Sequence, residues 1–228
     1  MVHLEELLDH LHIKDESFGS FCLKIEQLTD LDRTMDRFFA RCDSLNKPLE
    51  DRHIPLFSYF WPSARILCQT LLKEKLANRT LLEVGCGLGV PSMIACQMGA
   101  SCTAIDYSPE TWALFKRNIL RNNIQNIDFI ELDWNVYQGD GIGSFDYVVA
   151  SDIIYSAHPL EKLTSFLMAQ VKKTGKILIS DPNRAPLKEF ISVMEGAGFK
   201  VQQEQLSLQD QEEKKWISIL QMEKDFRD

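Results

Sequence analysis

Short apolar runs alternate with amphipathic segments along the chain from about residue 80 onward. Apolar runs of about four to eight residues predict strands, and apolar positions three and four residues apart predict helices. Alternation of the two is typical of βαβ units, which build a parallel sheet. The predicted strands cover residues 81–84, 102–106, 128–132, 147–151 and 176–180.

The last part of the chain follows a different pattern. A helix is predicted over residues 187–196, and two strands are predicted over 200–206 and 216–222 with a polar turn between them. Strands joined by a short turn pair antiparallel. The sequence therefore predicts an α/β fold in which an antiparallel hairpin closes a mostly parallel sheet.

Residues 1–56 do not share this alternation and are interpreted as an N-terminal extension. The extension is short and carries no motif of its own, so we expect a lid or a substrate cover rather than a second catalytic domain. Residues 57–228 then form the main domain. The elements predicted in the extension are a strand over 21–28, helices over 3–12 and 30–41, and a charged loop over 46–55.

The composition is that of an ordinary globular protein, with 228 residues of which 45% are hydrophobic and 25% charged. The 25 basic and 33 acidic residues leave a net charge of −8. No run of Lys or Arg interleaved with aromatic residues occurs, which disfavours binding to nucleic-acid phosphates. A basic segment of another protein is an easier partner for such a surface.

The six cysteines show neither a CxxC pair nor a metal-ligand spacing to the histidines, so we expect no metal. Cysteines in apolar contexts indicate a reducing compartment. The first ten residues lack the features of a signal or transit peptide, and no stretch approaches the roughly 18 apolar residues of a membrane span. We expect a cytoplasmic monomer that does not bind membranes.

A glycine-rich motif follows the first predicted strand, where residues 83–89 read EVGCGLG. Gly85, Gly87 and Gly89 let the backbone turn tightly and approach a ligand, and Asp106 comes at the end of the next strand, where a carboxylate can accept both ribose hydroxyls. The third glycine comes one residue too early for a dinucleotide fingerprint. Glu83 favours a cationic ligand over a pyrophosphate, and S-adenosylmethionine carries a sulfonium and an ammonium. The motif therefore indicates a site for S-adenosylmethionine.

Polar residues also end the other predicted strands, and the carboxyl ends of parallel strands share the edge of the sheet where ligands bind. We expect Asp106 to bind the ribose and Asp133 to accept a hydrogen bond from the adenine amine. Trp134 is expected to form an apolar wall, and Ser151 to border the cofactor. Alone, each carboxylate is also typical of a turn or a helix cap, whereas together they outline a pocket.

The segment Ser151-Asp152-Ile153-Ile154-Tyr155 holds the candidate catalytic residues. Transfer of a methyl group from a sulfonium is an in-line displacement by a nucleophile with a free lone pair. A lysine amine has a pKa near 10.4, so only about one in 2,500 is neutral at pH 7. Asp152, with the hydroxyl of Tyr155 one turn further on, can orient such an amine, and orientation supplies much of the rate.

Several segments resemble motifs of the seven-β-strand, class I protein lysine methyltransferases. The glycine motif and the following Pro91 resemble the first motif of that family, and Asp152-x-x-Tyr155 resembles its D-x-x-Y motif. The sequence Leu132-Asp133-Trp134 resembles the motif after the third strand, and Trp61-Pro62 resembles the element ahead of the first strand. Residues 181–184, which read DPNR, resemble the DPGR of the branch that modifies the electron-transfer flavoprotein β-subunit, with Asn183 in place of glycine.

The resemblance covers residues 57–222 and implies a Rossmann-like fold with a seven-stranded, mostly parallel sheet and a reversed last strand. It implies that Asp152 and Tyr155 face the lysine of a protein substrate, and it leaves Arg184 either as a substrate contact or as a salt bridge on a loop. The residues implied or expected to hold S-adenosylmethionine are Trp61, Glu83, Gly85, Gly87, Gly89, Asp106, Asp133, Trp134 and Ser151.

Other functions remain open at this point. Methyltransferases that act on nucleic-acid or glutamine amines are expected to carry [N/D/S]-P-P-[Y/F/W] after the fourth strand, and this chain has SDII there. Methylation of a small molecule uses the same cofactor site. A non-catalytic cofactor-binding module is the third alternative, although such modules are expected to lose glycines or the acidic residue of the second strand.

Overall fold

The computed structural model describes residues 10–44, 54–108, 110–139, 142–154, 159–210 and 213–224. Within these residues, the strands are β1 Leu11–Phe18, β2 Phe21–Leu28, β3 Thr80–Val84, β4 Ser101–Asp106, β5 Ile127–Glu131, β6 Phe145–Ser151, β7 Val171–Asp181, β8 Phe199–Asp210 and β9 Glu213–Lys224. The α-helices are α1 Leu31–Ser44, α2 Pro62–Leu71, α3 Val90–Gln97, α4 Thr111–Arg121, α5 Leu160–Gln170 and α6 Leu187–Gly196, and a 3₁₀ turn spans Pro55–Ser58.

The main sheet has seven strands in the order β5-β4-β3-β6-β7-β9-β8. Strands β3 to β7 pair in parallel, whereas β9 runs antiparallel to both of its neighbours, β7 and β8. All seven strands predicted for the main domain are confirmed, and so is the reversed last strand. This strand lies inside the sheet, between β7 and β8, because the long hairpin inserts its second arm next to β7.

The direction of strand addition changes between the neighbouring strands β3 and β6. From β3 the chain adds β4 and β5 on one side, and from β6 it adds β7 on the other. In an open α/β sheet this point leaves a crevice beyond the carboxyl ends of the two central strands. The crevice is where the predicted site residues converge.

The central strands are buried on both faces, which explains why their sequences are continuous apolar runs rather than alternating ones. Helix α2 packs on one face, where Leu67 contacts the cluster that contains Leu178. Helices α5 and α6 pack on the other face, where Phe190 belongs to the same cluster as Ile177 and Ile179. The two layers of helices hold the carboxyl edge of the sheet in place.

The N-terminal extension differs from its prediction. The helix expected over residues 3–12 is wrong for its last two residues, since Leu11 and His12 lie in β1; residues 1–9 lie outside the described part. Strand β1 pairs with β2 along its whole length, but most of its side chains are exposed. Its sequence therefore lacks the hydrophobic alternation that marks a strand, and pairing with the apolar β2 determines its conformation. Most of the loop expected over 46–55 also lies outside the described residues.

The hairpin of β1 and β2 packs against the main domain through ion pairs whose carboxylates are buried and whose arginines are partly exposed. Glu26 binds Arg117 and Arg121 of α4, and the neighbouring arginines lower the pKa of Glu26 against the opposing effect of burial. Glu16 accepts both terminal nitrogens of Arg65 on α2. The described helices include none that is long and apolar enough to cross a membrane.

Candidate active site

A cavity of about 650 Å³ opens beyond the carboxyl ends of β3 and β6. Asp152 lines it, and so do most of the residues predicted to bind the cofactor: Trp61, Gly85, Gly87, Gly89, Asp106, Asp133, Trp134 and Ser151. Glu83 is not among the lining residues, and Tyr155 lies outside the described residues. Residues far apart in the sequence therefore meet at one edge of the sheet.

The glycine loop packs so closely against neighbouring residues that a side chain would not fit at two of its positions. Gly87 has φ of +49°, and a Cβ there would lie 3.1 Å from the carbonyl oxygen of Phe57. Gly89 has φ of +70°, and a Cβ there would overlap the ring of Phe115. Positive φ and close approach both require glycine. The loop therefore presents bare backbone to the cavity.

Asp106 ends β4 and closes the glycine loop as well as lining the cavity. Its Oδ2 accepts the backbone N–H of Gly87 at 2.9 Å, and its Oδ1 accepts that of Ser108 at 3.0 Å. Burial raises the pKa of Asp106 above its usual range, although these donors oppose the shift. Each carboxylate oxygen has two lone pairs, so both oxygens can still accept a hydroxyl from a ligand.

Glu83 has a structural role in the fold. Its side chain is 2% exposed, and Oε2 accepts the backbone N–H of Ser92 at 2.9 Å. Ser92 lies in the first turn of α3, where N–H groups lack partners within the helix. Burial raises the pKa of Glu83 to about 8, and the nearby charge of Asp106 adds to this effect. The carboxyl therefore caps the helix that begins at the glycine loop.

Asp133 and Trp134 form the side of the cavity next to β5. The carboxylate of Asp133 accepts the N–H of Asn135 at 2.8 Å, which fixes the turn after the strand. Trp134 lines the cavity and also packs against the main hydrophobic core. The side chain of Trp134 therefore contributes both to the core and to the wall of the cavity.

Trp61 forms part of the opposite wall, ahead of α2. Its Nε1 donates to the carbonyl oxygen of Leu56 at 3.0 Å, and its ring stands edge-on to Tyr59 at 5.2 Å. These contacts fold residues 54–61 across the cavity. The backbone of this segment also approaches the glycine loop at Gly87.

Asp152 lies directly after β6 in a strained backbone conformation, with φ of +59°. Its backbone N–H donates to the carbonyl oxygen of Ser180 on β7 at 3.0 Å. The side chain is 7% exposed, and its Oδ2 makes no hydrogen bond to any described residue. Positive φ is uncommon outside glycine and occurs preferentially at functional sites.

The other oxygen of Asp152 is bound by an arginine. Arg184 donates from Nη2 to Oδ1 of Asp152 at 2.7 Å and from Nη1 to Asp181 at 3.1 Å. Burial raises the pKa of Asp152, whereas the Arg184 guanidinium and the hydroxyl of Ser63 oppose the increase. Of the two alternatives for Arg184, the structure contains the salt bridge, and Arg184 also lines the cavity.

Sequence reasoning missed several lining residues. Phe57 and Tyr59 precede the Trp61-Pro62 motif, and their aromatic character is the available signal. Tyr107 and Ser108 follow Asp106 directly, and position after a strand end could have identified them. The described residues contain no group of three or more His, Cys, Asp or Glu side chains arranged to hold a metal ion.

Known proteins that are similar to this chain include lysine methyltransferases. A family model described as lysine methyltransferase matches residues 54–197. Protein-lysine methyltransferase METTL21E of Bos taurus is 35% identical over 131 residues, which cover 52% of this chain and 44% of that protein. The electron transfer flavoprotein beta subunit lysine methyltransferase of Danio rerio is 29% identical over 139 residues, which cover 59% and 53%. The chain thus spans about half the length of these relatives.

Among solved structures, SMU.776 complexed with SAH superimposes with a TM-score of 0.63 at 13% identity. The match covers 92% of this chain and 55% of that chain. At this level of identity the likeness concerns the fold alone.

Proposed function

The chain belongs to the lysine methyltransferase family, and we propose that its cavity transfers a methyl group from S-adenosylmethionine to a lysine side chain of a protein substrate. The observation that carries this proposal is the buried carboxylate of Asp152, whose Oδ2 has no described partner, on the wall of the cavity that the glycine loop also lines. A buried carboxylate oxygen without a donor is costly, and a substrate amine would supply the missing donor.

S-adenosylmethionine is the cofactor of this family, and the residues of the cavity fit it. Gly85, Gly87 and Gly89 line the cavity with backbone alone, so a ligand can lie against this loop without meeting a side chain of the loop glycines. The carboxylates of Asp106 and Asp133 can accept hydrogen bonds from ribose hydroxyls and from an adenine amine. S-adenosylmethionine carries no phosphate that these carboxylates would repel. Trp61 and Trp134 supply apolar walls. The bound cofactor supplies an electrophilic methyl carbon whose bond to sulfur breaks as the new bond to nitrogen forms.

Asp152 would hold the acceptor nitrogen at that methyl carbon. A lysine amine reacts through its lone pair, and only about one in 2,500 is neutral in water at pH 7. Removal of the amine from water lowers its pKa, whereas the neighbouring carboxylate raises it. The lysine binds beside Asp152 as an ammonium and loses a proton to water before transfer, and the carboxylate restricts the orientation of the resulting amine. Positioning of this kind contributes several kcal/mol, about as much as the cost of deprotonation. Tyr155 is proposed to assist as a wall or through its hydroxyl.

The extension is proposed to cover the substrate side of the cavity. Ile54 and Leu56, at its end, line the cavity, whereas none of the residues 10–44 does so. The β1–β2 hairpin packs instead on α2 and α4, and Phe18 contacts Phe60 edge-on at 6.1 Å. This packing supports a model in which the end of the extension, at Ile54 and Leu56, covers the cavity and the hairpin holds that end in place.

Transfer of label tests the function directly. The purified protein is incubated with methyl-labelled S-adenosylmethionine and a lysate from the same source, and the labelled protein band is hydrolysed to amino acids. We expect one discrete band and label in methyllysine. The Asp152→Asn variant, which keeps the size of the side chain, should label the band at least about a hundredfold more slowly.

The alternatives predict different results. Label confined to small molecules would favour a small-molecule methyltransferase, and label in another amino acid would exclude lysine as the acceptor. Cofactor binding without transfer to any acceptor would favour a non-catalytic module.

We also propose that the protein acts as a cytoplasmic monomer. The five described cysteines are free, which is typical of a reducing compartment. Sedimentation at working concentration should give a mass near 26.2 kDa.

A further inference from the structure

Arg184 links two buried carboxylates at the ends of adjacent strands. Asp181 ends β7 and is fully buried, and it accepts the backbone N–H of Arg184 at 2.7 Å as well as Nη1. Asp152 follows β6 and accepts Nη2. The arginine is thereby held from both its backbone and its side chain, and its guanidinium has one defined position.

We propose that Arg184 is a positioning residue for methyl transfer, which keeps the buried Asp152 ionised and engages Oδ1 so that Oδ2 is the oxygen available to the acceptor. This inference rests on the proposed function of the cavity. The ion pair at 2.7 Å fixes the orientation of the Asp152 carboxylate.

The charges around Asp152 indicate the class of acceptor. The described charged groups that face it are Arg184, from the loop before α6, and Asp181, from β7, while α2 contributes the uncharged hydroxyl of Ser63. With both carboxylates ionised, two negative charges and one positive charge leave a net charge of −1. One ammonium group neutralises the cluster. The site is therefore suited to a single cationic side chain, and a lysine that already carries one or two methyl groups still has this charge.

The ion pair also opposes the effect of burial on Asp152. Burial raises the pKa of the carboxyl, and Arg184 limits the increase. Without the guanidinium, the carboxyl would be protonated at higher pH and would no longer attract an ammonium. Lysine at position 184 keeps the charge but lacks the planar fork that spans two carboxylates.

A titration tests the inference without any methyl acceptor. The carboxyl resonances of the protein labelled with ¹³C at Asp Cγ are followed against pH, and the Asp152 resonance is assigned by its loss in Asp152→Asn. We expect Arg184→Met to raise the titration midpoint of Asp152 by at least about one pH unit, and Arg184→Lys to raise it less. Arg79→Met is the matched control, because Arg79 pairs with Asp146 elsewhere on the molecule, and it should leave the Asp152 midpoint unchanged.

Turnover provides the second measurement. With the lysate band as acceptor, Arg184→Met should lower the rate at saturating cofactor by between about tenfold and a hundredfold, while calorimetry gives an affinity for S-adenosylmethionine within about twofold of the wild type. Arg184→Lys should recover part of the rate. If Arg184→Met does not fold, Arg184→Lys tests the role of Arg184 instead. In that variant too, the titration midpoint of Asp152 should rise and the rate of methyl transfer should fall relative to the wild type.

The two hypotheses fail in different ways. A wild-type protein that labels no protein contradicts the proposed function. An active wild type whose folded Arg184 variants have the wild-type midpoint and rate contradicts the role of Arg184 alone.

Discussion

Asn183 Oδ1 accepts a hydrogen bond from Ser218 Oγ at 2.6 Å, which joins the loop after β7 to strand β9. The amide of Asn183 also donates to the carbonyl oxygen of Trp216 at 2.8 Å. Asn183 has φ of +66°, a conformation that glycine adopts freely and that asparagine tolerates better than other residues. Asn183 therefore adopts the turn and anchors the loop that carries Arg184 to β9.

Substitution of Asn183 should separate conformation from anchoring. Asn183→Gly keeps the positive φ and loses the hydrogen bonds, whereas Asn183→Ala loses the bonds and is strained as well. We expect the alanine variant to be the least stable, by about 1 kcal/mol relative to glycine, in urea unfolding. Equal stability of the two variants would show that backbone conformation at this position has no energetic weight.

Asp106 should contribute to cofactor affinity in two ways, by contacting the ribose and by holding the glycine loop through Gly87. Hydrogen bonds to a charged acceptor are worth about 1.5–3 kcal/mol, so Asp106→Ala should weaken binding of S-adenosylmethionine at least tenfold in calorimetry. Asp128→Ala, on the exposed side of β5, is the control and should bind normally. Unchanged affinity of a folded Asp106→Ala protein would contradict the assignment.

Asp152→Ala should retain cofactor affinity while methyl transfer falls by about a hundredfold or more. Raising the pH should not restore the rate fully, because it supplies neutral lysine but not its orientation. Single-turnover rates measured beside thermal melts distinguish this result from loss of folding. A folded and fully active variant would exclude Asp152 from the reaction.

Tyr155→Phe tests whether the hydroxyl or the ring of Tyr155 is used. A loss of rate close to that of Asp152→Ala is expected if the hydroxyl binds the amine or the carboxylate, and a small loss if the ring forms a wall. The same single-turnover assay measures both.

Glu83 should make the protein less stable as the pH rises above neutrality. Its pKa in the folded protein, about 8, lies above the ordinary value of 4.5, so the protonated form is favoured by folding. The stabilisation is fully present below pH 4.5 and is lost as the pH rises through 8. Glu83→Gln keeps an acceptor for Ser92 without the charge. We expect its melting temperature, relative to the wild type, to rise by about 3 °C or more between pH 5 and pH 8.5, and a pH-independent difference would argue against burial of a titrating carboxyl.

The ion pair between the buried Glu16 and the partly exposed Arg65 should hold the extension on the main domain. Glu16→Gln leaves the guanidinium without its charged partner, and we expect a loss of about 2 kcal/mol in the free energy of unfolding. Asp15→Asn, whose ion pair with Lys24 is exposed, is the control and should change stability little. Equal effects would show that the hairpin does not depend on the Glu16 contact.

The sequence by itself determined the fold of the main domain, and most of the site residues that it predicted line the cavity. Buried parallel strands leave long apolar runs such as the one around Ile177, and the glycines and the carboxylate of Asp106 have positions that local backbone geometry requires. These signals are local, since strand ends, turns and periodicity depend on neighbours in the chain. Features that depend only on neighbours in the chain can therefore be predicted from the sequence without knowledge of the fold.

Tertiary structure alone decided the features that depend on distant partners. Strand β1 is polar along most of its length, so only pairing with β2 identifies it. Glu83 was expected at the ligand on the basis of its charge, but burial beside the first turn of α3 directs its carboxyl to Ser92. The contact between Asp152 and Arg184 joins positions 32 residues apart, because β6 and β7 lie side by side in the sheet. Pairing of charges across strands depends on packing and burial, which the order of residues does not encode locally.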